Sequence, residues 1–339
     1  MIRWRNASRT TYYAAVRTLR KALYDRLQAF FPSPNDFIAK LAESRAVLGG
    51  EFALSFILRD NSMPIDTLEI FAIDTHFQTL LDFFSYSPST SMHLALETIA
   101  LPSTQYSIQH EVSRFAVFHT HRRRTIYLFE STTMSPCSPV ARYWTTALMN
   151  FVTAQSYGCA YPALTLRRRG LVSDMALETL TRRDISTMAT LLQEGFTFGS
   201  DASRWPEFAS LVDRPPPPGI APCFRDLYVC PDQGRYFGDP GSLVDFIDPL
   251  NAGPGNAGVR LSPPFGHMVA WRLWCTAPCT CGCFRHDDIL PEGTITMGLM
   301  FVDDHVFYAS PPPPPARVAS PAVTFVPQNV RGRRRAASI

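Results

Sequence analysis

The sequence predicts an α/β or α+β core over residues 32–199, preceded by an amphipathic helix and followed by an irregular Pro- and Cys-rich C-terminal extension. Three observations carry this prediction. The chain has 339 residues, of which 46% are apolar, enough for a sizeable core; its length suggests two domains or one domain with large additions. Between Pro32 and Gly199, apolar residues recur at helical spacing in some segments and gather into short strand-like runs in others. Beyond that region, two proline runs at 215–218 and 311–315 break any regular period.

Taken in order, residues 1–31 form the N-terminal helix, because Val16, Leu19, Leu23, Leu27 and Phe30 lie at helical spacing. The same segment carries Arg, Ser and Thr but no acid before Asp25, a bias that also fits a mitochondrial transit peptide. "FPSPND" (Phe31 to Asp36) interrupts the chain and offers Ser33 or Asn35 as a cap for a helix near Asp36 to Ser44. Gly49 and Gly50 then turn it into "EFALSFILRD", whose apolar content suits a buried helix. "TLEIFAI" follows as a strand, and "THFQTLLDFFSY" as a helix through Phe77, Leu80, Leu81 and Phe84.

Two further strands, Arg114 to Phe118 and Thr125 to Glu130, are joined by a basic hairpin connection. "SPVARYWTTALMNFVTAQ" reads as a helix entered through Pro139, and "MALETLTRRDISTMATLLQEGF" as one or two more, stopped by Gly195. Residues 200–222 read as a Pro-rich linker, 223–310 as a Gly/Pro/Cys-rich region and 311–339 as a disordered basic tail.

Composition narrows the function classes. The net charge of +3 does not by itself imply a nucleic-acid partner, although the arginines cluster at 122–124, 167–169 and 331–335. No apolar run approaches the roughly 18 residues of a membrane span, and no secretory signal opens the chain. An intracellular protein, cytoplasmic or nuclear, with its eight cysteines reduced, is the expectation. Neither a P-loop nor a dinucleotide fingerprint is present, and the histidines show no triad spacing.

Metal-dependent nucleotidyl transfer needs carboxylates that hold Mg²⁺ against a triphosphate and backbone donors that cradle the phosphates. The Gly49–Gly50 pair before an apolar helix, then "TLEIFA", then "RRTIYLFES" and "ALMNFVTAQSYGCAYPALT", resembles the nucleotidyltransferase, or polymerase-beta-like, superfamily. More closely, it resembles the degenerate form of that fold found in many uncharacterised fungal proteins. The resemblance spans about Phe37 to Leu171 and implies a mixed sheet with flanking helices. It places the three metal-binding positions on Thr67, Glu69 and Tyr127, so one carboxylate of three survives. Asp66 cannot substitute for Thr67 in a regular strand, because it differs from Glu69 by an odd number of residues and faces the other way.

The implied function is therefore a noncatalytic binding or scaffold module, with Gly49, Gly50 and Glu69 as the candidate nucleotide-binding residues. A slow nucleotidyltransferase using Glu69 and Mg²⁺ is the enzyme alternative. A third reading is a nucleic-acid-binding or zinc-stabilised interaction protein. In it, Arg122, Arg123 and Arg124 would meet a polyanion, while Cys275, Cys279, Cys283 and His286 would hold Zn²⁺. The proline runs could also dock a protein partner as polyproline helices, although a spacer role explains them equally.

Overall fold

The computed structural model describes residues 9–87, 90, 92–98, 108–173, 180–209, 224–247 and 269–273, together with short strands at 289–291, 295–296 and 307–309. Its first elements are α1 (Arg9–Leu27), α2 (Pro34–Glu43), β1 (Val47–Gly49), α3 (Gly50–Leu58), β2 (Thr67–Ile73), α4 (Asp74–Tyr86), β3 (Met92–Thr98), β4 (Val112–Thr120) and β5 (Thr125–Ser131). They are followed by β6 (Asn150–Val152), β7 (Ser156–Cys159), α5 (Pro162–Thr165), β8 (Arg169–Leu171), α6 (Arg182–Gln193) and β9 (Thr197–Gly199). The last that matter here are α7 (Pro206–Ala209), β10 (Arg235–Tyr236), β11 (Leu243–Phe246) and β12 (Val269–Trp271).

An eight-stranded mixed sheet organises the molecule, in the order β11-β7-β6-β1-β2-β5-β4-β3. Only one neighbouring pair, β2 with β5, is parallel; the remaining neighbours are antiparallel. Strand parity sorts the apolar side chains onto two faces. Leu48, Leu68, Ile70, Leu128 and Val152 point to one face, where α1 to α4 cover them with Leu23, Leu27, Phe37, Phe52 and Phe77. Val47, Phe71, Phe129 and Phe151 point to the other, which is covered by the 137–149 segment, α6 and aromatic residues from the C-terminal part. Both faces being covered explains why the central strands read as nearly continuous apolar runs.

The helices expected from periodicity are present at α1, α2, α3, α4 and α6. Ser33 precedes α2 but makes no side-chain cap; Pro34 enters its first turn instead. Gly195, with φ of 83°, follows the end of α6, as expected of a glycine stop.

The 138–155 segment departs from its expectation. Rather than one long helix, it makes a 3₁₀ turn at Val140–Arg142, a buried stretch with a turn at 146–148 and then β6. Its backbone groups are satisfied by neighbours in the sheet and loops: Thr146 N–H donates to the Leu171 carbonyl, and the Met149 carbonyl accepts from Ala160 N–H. Leu148, Phe151 and Val152 are buried on elements of different faces, which a helix of that period could not do.

The folded core also runs past Gly199. Within the stretch read as linker, Trp205 and Phe208 are buried; within the stretch read as a Gly/Pro/Cys-rich extension, β11 pairs with β7 as the sheet's end strand. Arg235 anchors this addition. Fully buried, it donates to the Ala160 carbonyl at 2.7 Å, pairs with Asp239 and stacks 4.4 Å from the Tyr161 ring centroid. The proline runs, the Cys275, Cys279, Cys283 and His286 cluster and the 311–339 tail lie outside the described residues.

Candidate functional site

The candidate site sits where β1, β2 and β5 run side by side. Register places Gly49 directly beside Glu69 on one side and Tyr127 directly beside it on the other. Thr67, Glu69 and Phe71 share a face by parity, so the three positions that the resemblance assigns to metal ligands do converge. They converge as Thr, Glu and Tyr.

The Gly49–Gly50 pair makes this packing possible. A Cβ on Gly49 would lie 2.7 Å from the Phe71 ring and 3.0 Å from the Tyr143 hydroxyl. Gly50 has φ of 60°, and a Cβ there would strike the Glu69 carboxylate. Gly50→Ala should therefore cost about 2 kcal/mol or more, from the left-handed backbone alone plus the displaced carboxylate. Chemical denaturation of the variant, with unchanged far-ultraviolet circular dichroism in buffer, checks this.

Glu69 is buried, with 7% of its surface exposed, and both of its oxygens are occupied. Arg183 of α6 forms an ion pair with Oε1, and the Tyr143 hydroxyl donates to Oε2. Arg183 is held in place on its other side by Tyr127, whose ring centroid lies 4.2 Å from the guanidinium carbon. Burial, together with the Glu69 carboxylate, pushes the Tyr143 phenol well above its ordinary range, so it remains a donor.

The position of Arg183 follows from a local signal. Thr181, Arg182, Arg183 and Asp184 form a capping box: Thr181 Oγ1 accepts from the Asp184 N–H at 3.2 Å, and Asp184 Oδ2 accepts from the Thr181 N–H at 3.0 Å. This fixes the start of α6 and brings its first turn over β2 and β5.

Between α6 and the start of β2 lies a cavity of about 790 Å³, bordered by Glu51, Thr67, Tyr127, Arg182, Arg183 and Thr187 among others. Its volume falls within the roughly 300–1,000 Å³ typical of small-molecule sites. Glu51, in the first turn of α3, also borders a smaller space that includes Glu69 and Tyr143. Burial first, and then the neighbouring Glu69 charge, raise the Glu51 pKa to about 7, against an opposing pull from Arg183.

Of the residues expected at the site, Gly49, Gly50, Glu69, Thr67 and Tyr127 are brought together. Asp66 stands apart: its side chain is 78% exposed and forms an ion pair with Arg124. Glu130 is turned away from Tyr127, accepting from Arg114 Nε at 3.0 Å and Ser113 Oγ at 2.5 Å. The basic hairpin is partly spent on the fold. Arg122 donates to the Gln28 carbonyl at 2.6 Å, Arg124 to the Ile65 carbonyl at 2.8 Å, and Arg123 takes a turn position with φ of 60°. In the second basic run, Arg168 pairs with Asp60 at 2.6 Å and Arg169 with Glu207 at 2.8 Å.

Residues that sequence reasoning missed are Glu51, Tyr143, Arg182 and Arg183. The Thr181–Asp184 capping pattern was the available signal for the last two. A Mg²⁺ ion does not fit this donor set, because the single carboxylate of the three positions already has both oxygens engaged by Arg183 and Tyr143. Among the described residues, no three His, Cys, Asp or Glu side chains gather as a metal cluster. No helix in them is long and apolar enough to cross a membrane.

No family model and no curated protein matches the chain.

Proposed function

We propose that the protein is a noncatalytic binding module on a degenerate nucleotidyltransferase-like domain. A helix-borne guanidinium stands where the active form of such a domain would hold its metal. The observation that supports this is the double engagement of Glu69 by Arg183 and Tyr143. Displacing Arg183 to admit a cation would break a buried ion pair and lift the guanidinium from the Tyr127 ring. The Gly49–Gly50 turn, the carboxylate strand and the mixed sheet are consistent with the inherited fold, and the cavity beside them has the size to hold a nucleotide.

Incubation of the purified protein with nucleoside triphosphates and Mg²⁺ or Mn²⁺ should give no nucleotide incorporation or pyrophosphate release above a no-protein control. Magnesium-dependent turnover that vanishes in Glu69→Ala would overturn this reading and restore the nucleotidyltransferase alternative. A polyanion-binding role for the basic hairpin is less favoured, because Arg122 and Arg124 hold carbonyls and a carboxylate of the fold.

A further inference from the structure

The cavity over β2 has an uneven wall. Thr190 borders it with its hydroxyl already donating to the Ser186 carbonyl at 3.2 Å; on the α6 side the wall further presents Arg182, Ser186 and Thr187, and on the strand side Thr67. Arg182, Ser186, Thr187 and Thr67 are hydrogen-bond donors. The charges around them are largely accounted for. Arg183 is matched by Glu69, Asp66 by Arg124, and the Asp184 carboxylate is turned into its own helix cap against Thr181. Arg182, exposed on the first turn of α6, makes no ion pair among the described residues. The one remaining group that decides the sign of the site is Glu51.

We propose that this cavity is a metal-free site for a small ligand bearing a phosphate-ester or diphosphate group, bound by Arg182 and the Ser186 and Thr187 hydroxyls and gated by the protonation of Glu51. The inference deepens the binding-module reading and rests on it. A guanidinium and several hydroxyls recognise phosphate oxygens directly, so no divalent ion is required to bring the anion to the wall. With Glu51 protonated, the wall offers one more donor and carries the Arg182 charge unopposed. With Glu51 ionised, a carboxylate beside Glu69 faces the incoming anion. Among the described residues, the charged or titratable groups that border the same two spaces as Glu51 are part of this balance: Glu69 and Asp66 at β2, Tyr127 of β5, Tyr143, and Arg182, Arg183 and Asp184 of α6.

Inorganic pyrophosphate is a suitable probe, titrated calorimetrically into the full chain in EDTA at pH 6 and pH 8. Pyrophosphate itself changes charge over this range, so the readout is the comparison with Glu51→Gln, in which that contribution is identical. The wild type should lose about five-fold more affinity than Glu51→Gln between pH 6 and pH 8, and Arg182→Ala should bind about ten-fold more weakly at both, in line with one charge each at close range. Arg182 is exposed, and an unchanged melting temperature for Arg182→Ala separates lost binding from lost structure.

Equal pH dependence in wild type and Glu51→Gln, unchanged binding in Arg182→Ala, or no binding at millimolar pyrophosphate would each overturn the inference. Binding that appears only with Mg²⁺ would overturn it too while leaving the noncatalytic binding module standing; that reading falls only to Glu69-dependent turnover.

Discussion

Arg183→Ala should destabilise the protein by about 3–5 kcal/mol, the usual cost of leaving one partner of a buried ion pair alone. Its removal strands the Glu69 carboxylate, 7% exposed, close to a second carboxyl at Glu51 and with only the Tyr143 hydroxyl for company. Urea denaturation at pH 7.5 measures the loss as a shift of midpoint at constant slope. Pairing the substitution with Glu69→Gln should recover most of it, because the uncompensated charge disappears and the amide still accepts from Tyr143. An Arg183→Ala loss below about 1 kcal/mol, the worth of an exposed pair, would show that the guanidinium is not the counter-ion of Glu69. Arg183→Lys is not a conservative control, since an ammonium cannot lie flat on Tyr127 while reaching the carboxylate.

Much of the helical layer was legible because each helix buries one stripe. Leu19, Leu23 and Leu27 of α1, and Phe77, Leu80, Leu81 and Phe84 of α4, report the face they cover through spacing alone. The strands β2, β4 and β5 were legible as well, being runs of β-branched and aromatic residues bounded by turns. What the local pattern missed were the edge strand β3 and the strands of two to four residues. In β6, Asn150, Phe151 and Val152 owe their conformation to pairing with β1 and β7, not to any local period. The same holds for β11, whose half-buried residues become sheet only by pairing with β7, more than eighty residues earlier in the chain. Local pattern cannot announce a partner that far away.

The site divides along the same line. Parity alone placed Thr67 and Glu69 together and Asp66 apart, and register adds Tyr127 beside them. Its other half comes from long range: Tyr143 is 74 residues from Glu69 and Arg183 is 114 residues away. A sequence read in windows shows Glu69 alone among Thr67, Glu69 and Tyr127 as a carboxylate but not which groups from far along the chain close around it. What the structure holds there is a closed network of one carboxylate, one guanidinium and two tyrosines. The neighbouring Glu51, first residue after the Gly pair, then becomes the one acid there whose charge is negotiable.

That gives the second large effect, a stability that falls as pH rises. In the unfolded chain Glu51 ionises near 4.5, whereas in the folded protein burial and Glu69 hold it protonated up to about 7. Between these values the native state binds the extra proton, so raising the pH removes stability, and the loss is complete once pH exceeds about 7. The shift from 4.5 to about 7 corresponds to at most about 3–4 kcal/mol, taking about 1.4 kcal/mol for each unit. Glu51→Gln should therefore match the wild type near pH 4.5 and exceed it by up to that amount at pH 8. Denaturant midpoints collected in steps from pH 4.5 to 8 give both curves, and the difference between them cancels the titration of every other group. A constant difference across the range would mean that Glu51 ionises normally in the fold. A difference growing toward acid would place a salt bridge there instead, with Arg183 shared between Glu51 and Glu69 and its attraction outweighing burial.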